Sequence, residues 1–468
     1  MKRTQCIVLM LISFATLLSG RQPKYIFYFI GDGMGMNHVN GTEMYLAARQ
    51  NRIGREPLTF TTFPYAGIVT TFSKSSPITD SAAAGTALAT GTKTLNGTIG
   101  MDSAQQVSLH NLAEMAHEKG YPVGLITTVS IDHATPAVFY SHKPLRSTFY
   151  EIGTELPTSG FEFFAGAGLM EPTNWRNHKD PNLFDLIARS GYTLIRGNAD
   201  YSRQATQADK IILLQDESCN PDCIPFAIDR QEGDLALPEM TALGIEFLAK
   251  QHKGFFMMVE GGKIDWAAHS NDGATVFAEV IDFDQAVRKA YDFYLQKPDS
   301  TLIVVTADHE TGGLGLGTRR YKMNLAILAN QRMSEALLSV EVLNMRLAAQ
   351  AAHTSVAWEQ VQQLLREKLG FWDTVTLTSE QEERLRHTWQ EMVDNKEEIK
   401  PRSEYFVEER LAQVAVGLLN EIARIGWTTS AHTAGYVPLF AIGVGAERFT
   451  GLMDNTDIPK RIAEVGGY

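Results

Sequence analysis

Tyr25-Ile26-Phe27-Tyr28-Phe29-Ile30 runs directly into Gly31-Asp32-Gly33-Met34-Gly35. An unbroken apolar run of this length reads as a strand covered on both faces, as in a parallel sheet. The glycines end it and allow backbone to approach closely around Asp32. Asp32 would then stand at the carboxyl end of a central strand, where an open α/β sheet places its ligands. A plain Gly-Asp-Gly turn between strand and helix is the alternative. A dinucleotide site fits less well, because the spacing is not G-x-G-x-x-G.

Working outward, the same arrangement recurs. Residues 123–128 form an apolar strand that ends in Ser130-Ile131-Asp132-His133-Ala134-Thr135-Pro136, with Arg146 a short polar segment later. Residues 254–259 deliver Glu260-Gly261-Gly262-Lys263-Ile264-Asp265-Trp266-Ala267-Ala268-His269. Asp265 and His269 are i and i+4, so one helical turn puts an oxygen and a nitrogen ligand on the same face. Residues 301–306 end in Ala307-Asp308-His309-Glu310-Thr311-Gly312-Gly313. His432 lies in a small-residue loop before a strand at 437–442. Helices at 107–119 and 183–190 and strands at 66–72, 192–195 and 211–214 complete the alternation. The expected fold is α/β, a central mostly parallel sheet flanked by helices.

Thr79-Asp80-Ser81-Ala82-Ala83-Ala84-Gly85-Thr86 supplies a nucleophile. Asp80 is a good N-cap, and the Ala-rich run after it favours helix. Ser81 would sit in the first turn among unpaired N–H groups, which suit an alkoxide and a phosphate. Asp-Ser at a helix start is, taken alone, most often a capping device.

The 468 residues carry a formal net charge of −12, which argues against a general nucleic-acid binder. Positive charge at a site must come from metals or a few placed residues. Met1-Lys2-Arg3 and the apolar run after it read as a signal peptide over 1–20, which implies an exported, periplasmic or extracellular protein. No later segment is apolar for the roughly 18 residues a membrane span requires. Cys219 and Cys223 flank Asn220-Pro221-Asp222, and in an oxidising compartment a local disulfide is the favoured reading over half of a zinc site.

Residues 21–315 plus 426–468 read as the α/β domain, and 316–425 as a helical insertion within it. Val361, Leu364, Leu365 and Leu369 recur at helical spacing, as do Leu385, Trp389 and Met392 after a Ser379-to-Glu382 capping box.

The set of strand ends in this order resembles the alkaline phosphatase family. The matching runs are Ile30 to Gly35, Thr79 to Ala82, Ala134-Thr135-Pro136, Val259-Glu260-Gly261 with Ile264-Asp265 and His269, Thr306 to His309, and His432-Thr433. The resemblance implies one zinc ion on Asp265, His269 and His432, and a second on Asp32, Asp308 and His309 with Ser81 as a changing ligand. It implies a magnesium ion on the other oxygen of Asp32 with Thr135 and Glu260, and phosphate held by the fork of Arg146. The implied reaction is hydrolysis of small phosphate monoesters through a phosphoserine on Ser81. Many relatives are homodimers, and a homodimer stays open here.

Two positions depart from the best-known bacterial pattern. His133 stands where a carboxylate often supports the third metal, and Trp266 where a Lys or His reaches phosphate through water. A phosphodiesterase of the same superfold is the nearest alternative. A non-catalytic exported protein that binds metal or phosphate is the more distant one. A sulfatase is disfavoured, because Ser81 is followed by Ala-Ala-Ala.

Overall fold

The computed structural model describes residues 22–251, 253–319, 321–394, 401–403, 406–407 and 409–468, so the expected signal peptide lies outside the described residues. The strands of the main sheet are β1 (Tyr25–Gly31), β2 (Tyr65–Thr70), β3 (Val123–Thr127), β4 (Phe163–Gly166), β5 (Thr193–Arg196), β6 (Ile211–Leu214), β7 (Phe255–Gly261), β8 (Thr301–Thr306), β9 (Val437–Gly443) and β10 (Gly451–Asp454). Their order is β10-β2-β9-β8-β1-β7-β3-β4-β6-β5. Only the ladders that β9 makes with β2 and β8 are antiparallel; the others are parallel.

β1 is central, between β8 and β7, and Ile26 to Ile30 are completely buried. Successive side chains leave a strand on opposite faces, and both faces here meet aromatic cover. The Phe29 ring lies 5.9 Å from Phe283 and the Tyr28 ring 6.3 Å from Phe139. That two-sided cover explains why the strand reads as a continuous apolar run.

The register brings the strand ends level. Ile30 pairs with both Glu260 and Thr306, and Thr127 also pairs with Glu260. The segments that follow β1, β3, β7 and β8 therefore emerge along one edge. β9 runs the other way, so the residues before it, including His432, reach that same edge.

Among the helices, α1 (Met36–Arg49) follows the Asp32 loop, α2 (Ser81–Thr90) begins with the nucleophile, and α3 (Leu237–Ala249) precedes β7. Next come α4 (Lys263–His269) and α5 (Gly273–Gln296), and Phe283 of α5 is the residue that covers Phe29. The helix expected at 107–119 is shorter, Leu112–Glu118. Asn111 caps it by accepting from Ala113 and Glu114, while the Asp102 carboxylate turns the preceding segment by accepting from the amides of Gln106 and Val107.

Between 316 and 425 lie α6 (Glu335–Ala351), α7 (Trp358–Leu369), α8 (Ser379–Asp394) and α9 (Arg410–Ala423). Val361, Leu365, Leu369, Leu385, Trp389 and Met392 are buried as their periodicity indicates, and Leu364 is half-buried. The capping box is one residue earlier than expected. Thr378 Oγ accepts from Gln381 N at 3.2 Å, and Gln381 Oε1 accepts from Thr378 N at 3.0 Å. A short antiparallel pair, Gly315–Leu316 with Ile425–Gly426, brings the two ends of this region together. Its helices are tied to the chain just after His269: Asp272 accepts from Gln331 and Glu335 N, and Asn420 Nδ2 donates to Asn271 O at 2.7 Å.

Cys219 and Cys223 are free thiols rather than the expected disulfide. Their turn is held by Gln215 Nε2, which donates to the carbonyls of Asn220 and Cys223, and by a backbone bridge from Cys223 to Val129.

Candidate active site

Ser81 is the first residue of α2 and is buried. The Asp80 carboxylate caps the helix, with Oδ1 accepting from Ala83 N at 3.0 Å. Its other oxygen accepts from Gly97 N at 2.9 Å and from Arg146 Nη1 at 3.2 Å. Arg146 Nη2 reaches His133 Nε2 at 3.2 Å. Burial, followed by the nearby Arg146 cation, pushes His133 down to about 3, so the ring is neutral and accepts from the guanidinium.

Asp265, His269 and His432 form one cluster with metal-ligand spacing. His269 Nε2 lies 3.2 Å from Asp265 Oδ2 and 3.2 Å from His432 Nε2, which is itself 3.6 Å from Asp265 Oδ1. The far side of each ring faces a carbonyl: His269 Nδ1 meets Ser430 O at 2.6 Å, and His432 Nδ1 meets Thr79 O at 2.8 Å. Those contacts require the proton on Nδ1 and turn both Nε2 lone pairs toward Asp265, the arrangement typical of metal-binding histidines. Lone pairs so close beside a carboxylate repel unless a proton or a metal cation sits among them. The Asp265 charge pushes His269 up to about 9.

Asp32, Asp308 and His309 form the second cluster. His309 Nε2 lies 3.1 Å from Asp308 Oδ2, 3.3 Å from Asp32 Oδ1 and 3.3 Å from Ser81 Oγ. Asp308 Oδ1 accepts from the amides of Gly33 and His309, while among the described residues His309 Nε2 is the nitrogen that approaches Oδ2, and both oxygens of Asp32 are buried without a hydrogen-bond partner. Gly33 lies in the left-handed region (φ 70°), and a Cβ there would fall 2.8 Å from Asp265 Cα. Only glycine lets this loop pass between the two clusters. The His309 and His432 rings stack at 3.6 Å, so the clusters abut.

A third group joins Asp32, His133 and Glu260. Thr127 Oγ donates to Glu260 Oε2 at 2.5 Å. Burial pushes Glu260 up to about 7, against the pull of the Thr127 and Thr135 hydroxyls. Asp32 is raised by burial and then by the like charges of Asp308, Asp265 and Glu260. Trp266 is buried, with its ring edge-on to His133 at 6.0 Å, so its ring covers His133.

The structure therefore brings Ser81, Asp32, His133, Thr135, Arg146, Glu260, Asp265, His269, Asp308, His309 and His432 to one edge of the sheet. These residues suit metal ions: buried carboxylate oxygens lack protein partners, and orphaned buried charge is costly. The mixed nitrogen and oxygen donors of the first two clusters suit a cation such as zinc, and the third group sets the carboxylates of Asp32 and Glu260 beside a nitrogen of His133. The sequence reading overlooked Thr311, whose hydroxyl donates to Asp265 Oδ1 at 2.5 Å and lies 3.2 Å from His309 Nδ1. Its position in the two-residue strand Glu310–Thr311, directly after His309, was the available signal.

A family model described as Alkaline phosphatase matches residues 23–162 and 159–468. Alkaline phosphatase 3 of Bacillus subtilis is 30% identical, over 98% of this chain and 96% of its own length. Alkaline phosphatase 4 of that organism is 30% identical, over 93% and 87%. Among solved structures, a cold-active alkaline phosphatase from a psychrophile, Shewanella sp., superposes with a TM-score of 0.78 at 28% identity, covering 94% of this chain and 99% of that one. The alkaline phosphatase of Thermus thermophilus gives 0.78 at 27% identity, covering 96% and 92%. The chain belongs to the alkaline phosphatase family. It is accordingly an enzyme, a phosphoric monoester hydrolase.

Proposed function

We propose that this enzyme hydrolyses small phosphate monoesters through a phosphoserine on Ser81. In this reading Asp265, His269 and His432 hold one zinc ion, and Asp32, Asp308 and His309 hold a second. Asp32, Thr135 and Glu260 hold a magnesium ion. The observation that carries the reading is the pairing of His269 and His432: each ring uses Nδ1 on a carbonyl and turns Nε2 inward beside Asp265. When bound, the metals would supply Lewis acidity, which lowers the Ser81 hydroxyl pKa and offsets phosphate charge.

The chain's own groups do the rest. The first turn of α2 presents unpaired N–H groups to the phosphate oxygens. Arg146, steadied by Asp80 and His133, offers its remaining N–H groups to two non-bridging oxygens. Ser81 Oγ bonds to phosphorus as the ester oxygen departs on the opposite side, and the proton given up by Ser81 ends on that oxygen through solvent, so that it leaves as the alcohol. Water then attacks phosphorus from the side of Asp265, His269 and His432, and the Ser81–phosphorus bond breaks to regenerate the hydroxyl. The basic, apolar start of the chain supports export to the periplasm or cell exterior.

The test is phosphate release from an aryl phosphate at alkaline pH with zinc and magnesium supplied. Wild type should turn over, and Ser81→Ala should lose several orders of magnitude, on the scale of the roughly 10⁶-fold seen for loss of a serine nucleophile. Absence of turnover by zinc-loaded wild type would reject the reading and direct attention to diesters.

A further inference from the structure

The strand pair that carries His432 has a second face. Glu310–Thr311 pairs antiparallel with His432–Thr433, with Thr311 opposite His432 and Glu310 opposite Thr433. Directly opposed residues project to the same side of a ladder, and the next pair projects to the other side. Thr311 and His432 therefore face the metal clusters, while Glu310 and Thr433 occupy the back.

There the Glu310 carboxylate is a junction. It is buried at 7% exposure. Oε2 accepts from the Thr433 hydroxyl on the His432 strand. Gly313 N donates to both oxygens at 3.0 and 3.2 Å, and Leu314 N to Oε1 at 3.3 Å. The loop after β1 abuts it: a Cβ on Gly35 would fall 2.1 Å from Glu310 Cγ. His38 Nδ1, in the first turn of α1, lies 3.8 Å from Oε1. One side chain thus fastens the His432 arm to the segment bearing Asp308 and His309 and sits against the loop bearing Asp32.

The arm has few other anchors. Ala431 and Ser430, before His432, are exposed, and Gly435 and Tyr436, after it, are exposed too. The two-residue ladder, the backbone bonds from Gly312 N to Ala431 O and from Thr428 N and Thr429 N to Gly312 O, and the contacts of His269 Nδ1 with Ser430 O and of His432 Nδ1 with Thr79 O supplement Glu310. By contrast, His269 and Asp265 are fixed by their helix, and Asp308 and His309 by the end of a central strand.

We infer that Glu310 is a positioning residue for the Asp265–His269–His432 metal site, acting through Thr433 to hold His432 in register with His309. The inference rests on the proposal that this cluster binds zinc. Loss of such outer hydrogen bonds costs about 10–100-fold in metal affinity. The loss should fall mainly on that site: Glu310 adjoins both clusters, but Asp308 is also held by the amides of Gly33 and His309 at the end of β8, whereas His432 stands on the arm that Glu310 fastens.

The experiment is an equilibrium titration of the metal-free enzyme with zinc alone against a chromophoric competitor, on wild type, Glu310→Gln, Thr433→Val and His432→Ala. His432→Ala identifies which class of zinc depends on the arm. Glu310→Gln keeps the volume and one acceptor oxygen but loses the charge. It should weaken that same class about tenfold or more and leave the other class little changed. Thr433→Val should weaken the same class in the same direction, and it carries the test if Glu310→Gln fails to fold. Equal weakening of both classes would mark Glu310 as merely structural and overturn the inference, as would unchanged binding. Wild type that takes up no zinc would overturn the metal-site proposal itself, and this inference with it.

Discussion

The Asp80 carboxylate caps the helix that begins with Ser81 and, through its other oxygen, holds Arg146 at 3.2 Å. One side chain therefore sets the nucleophile and the phosphate-binding cation in a common frame. Asp80→Asn keeps a capping oxygen but loses the opposite charge that holds the guanidinium. We expect inorganic phosphate to bind several-fold more weakly, with little change in melting temperature. Asp80→Ala should show the same weakening plus about 1 kcal/mol of lost stability from the missing cap. Unchanged product inhibition in both variants would contradict this role.

Chelation should act on both activity and stability. Asp32, Glu260, Asp265 and Asp308 are buried within three adjoining clusters, and removing cations leaves their charge poorly offset. Activity should vanish on treatment with a strong chelator and return with zinc plus magnesium. Each ion present at a thousand times its dissociation constant stabilises the fold by about 4 kcal/mol, so the melting temperature should fall on chelation and recover on readdition. A melting temperature indifferent to chelation would count against metal loading.

His133 is covered by Trp266 and receives Arg146. His133→Asp puts a carboxylate beside Asp32 and Glu260, and magnesium prefers oxygen donors. Magnesium should bind the variant more tightly, with a lower concentration giving half-maximal activation. Equal magnesium dependence in wild type and variant would defeat the expectation.

Glu279 on α5 is buried near Lys263, Asp282 and Arg230, and burial pushes its carboxyl up to about 7 from an ordinary 4.5. Its folded form favours the proton, so the favourable contribution is complete below pH 4.5 and is lost as pH rises through 7. The shift amounts to about 3 kcal/mol at most. Its carboxylate accepts from Ala227 N, a bond that glutamine can also make. Glu279→Gln should therefore melt higher than wild type above pH 7, with the advantage shrinking toward pH 5. A constant difference across that range would refute the assignment.

Much of the site was legible because ligand-bearing segments follow apolar strands. Asp32, Glu260 and Asp308 each stand directly after a run that is polar-free or nearly so, and the Asp265–His269 spacing gives one helical face. The partners that orient those ligands were not legible. Ser430 O and Thr79 O, which fix the His269 and His432 tautomers, are backbone atoms whose residue type carries no signal. Thr127 and Thr311 resemble any strand threonine until Glu260 and Asp265 are placed against them. The Ser379 cap was misplaced by one residue because Thr378 and Gln381 satisfy the same reciprocal pattern as Ser379 and Glu382. The expected disulfide rested on sequence spacing, which says nothing of how Gln215 holds that turn.

By itself the sequence determined the α/β alternation, the buried central strand and the ligand types, since periodicity and residue chemistry are local properties. Only the tertiary structure decided that these ligands converge. His432 reaches the others because β9 runs antiparallel to β8, which brings the start of one strand to the edge where its neighbours end. That pairing joins residues more than a hundred positions apart, such as Phe440 and Val305, so its direction is decided by contacts that exist only in the folded chain.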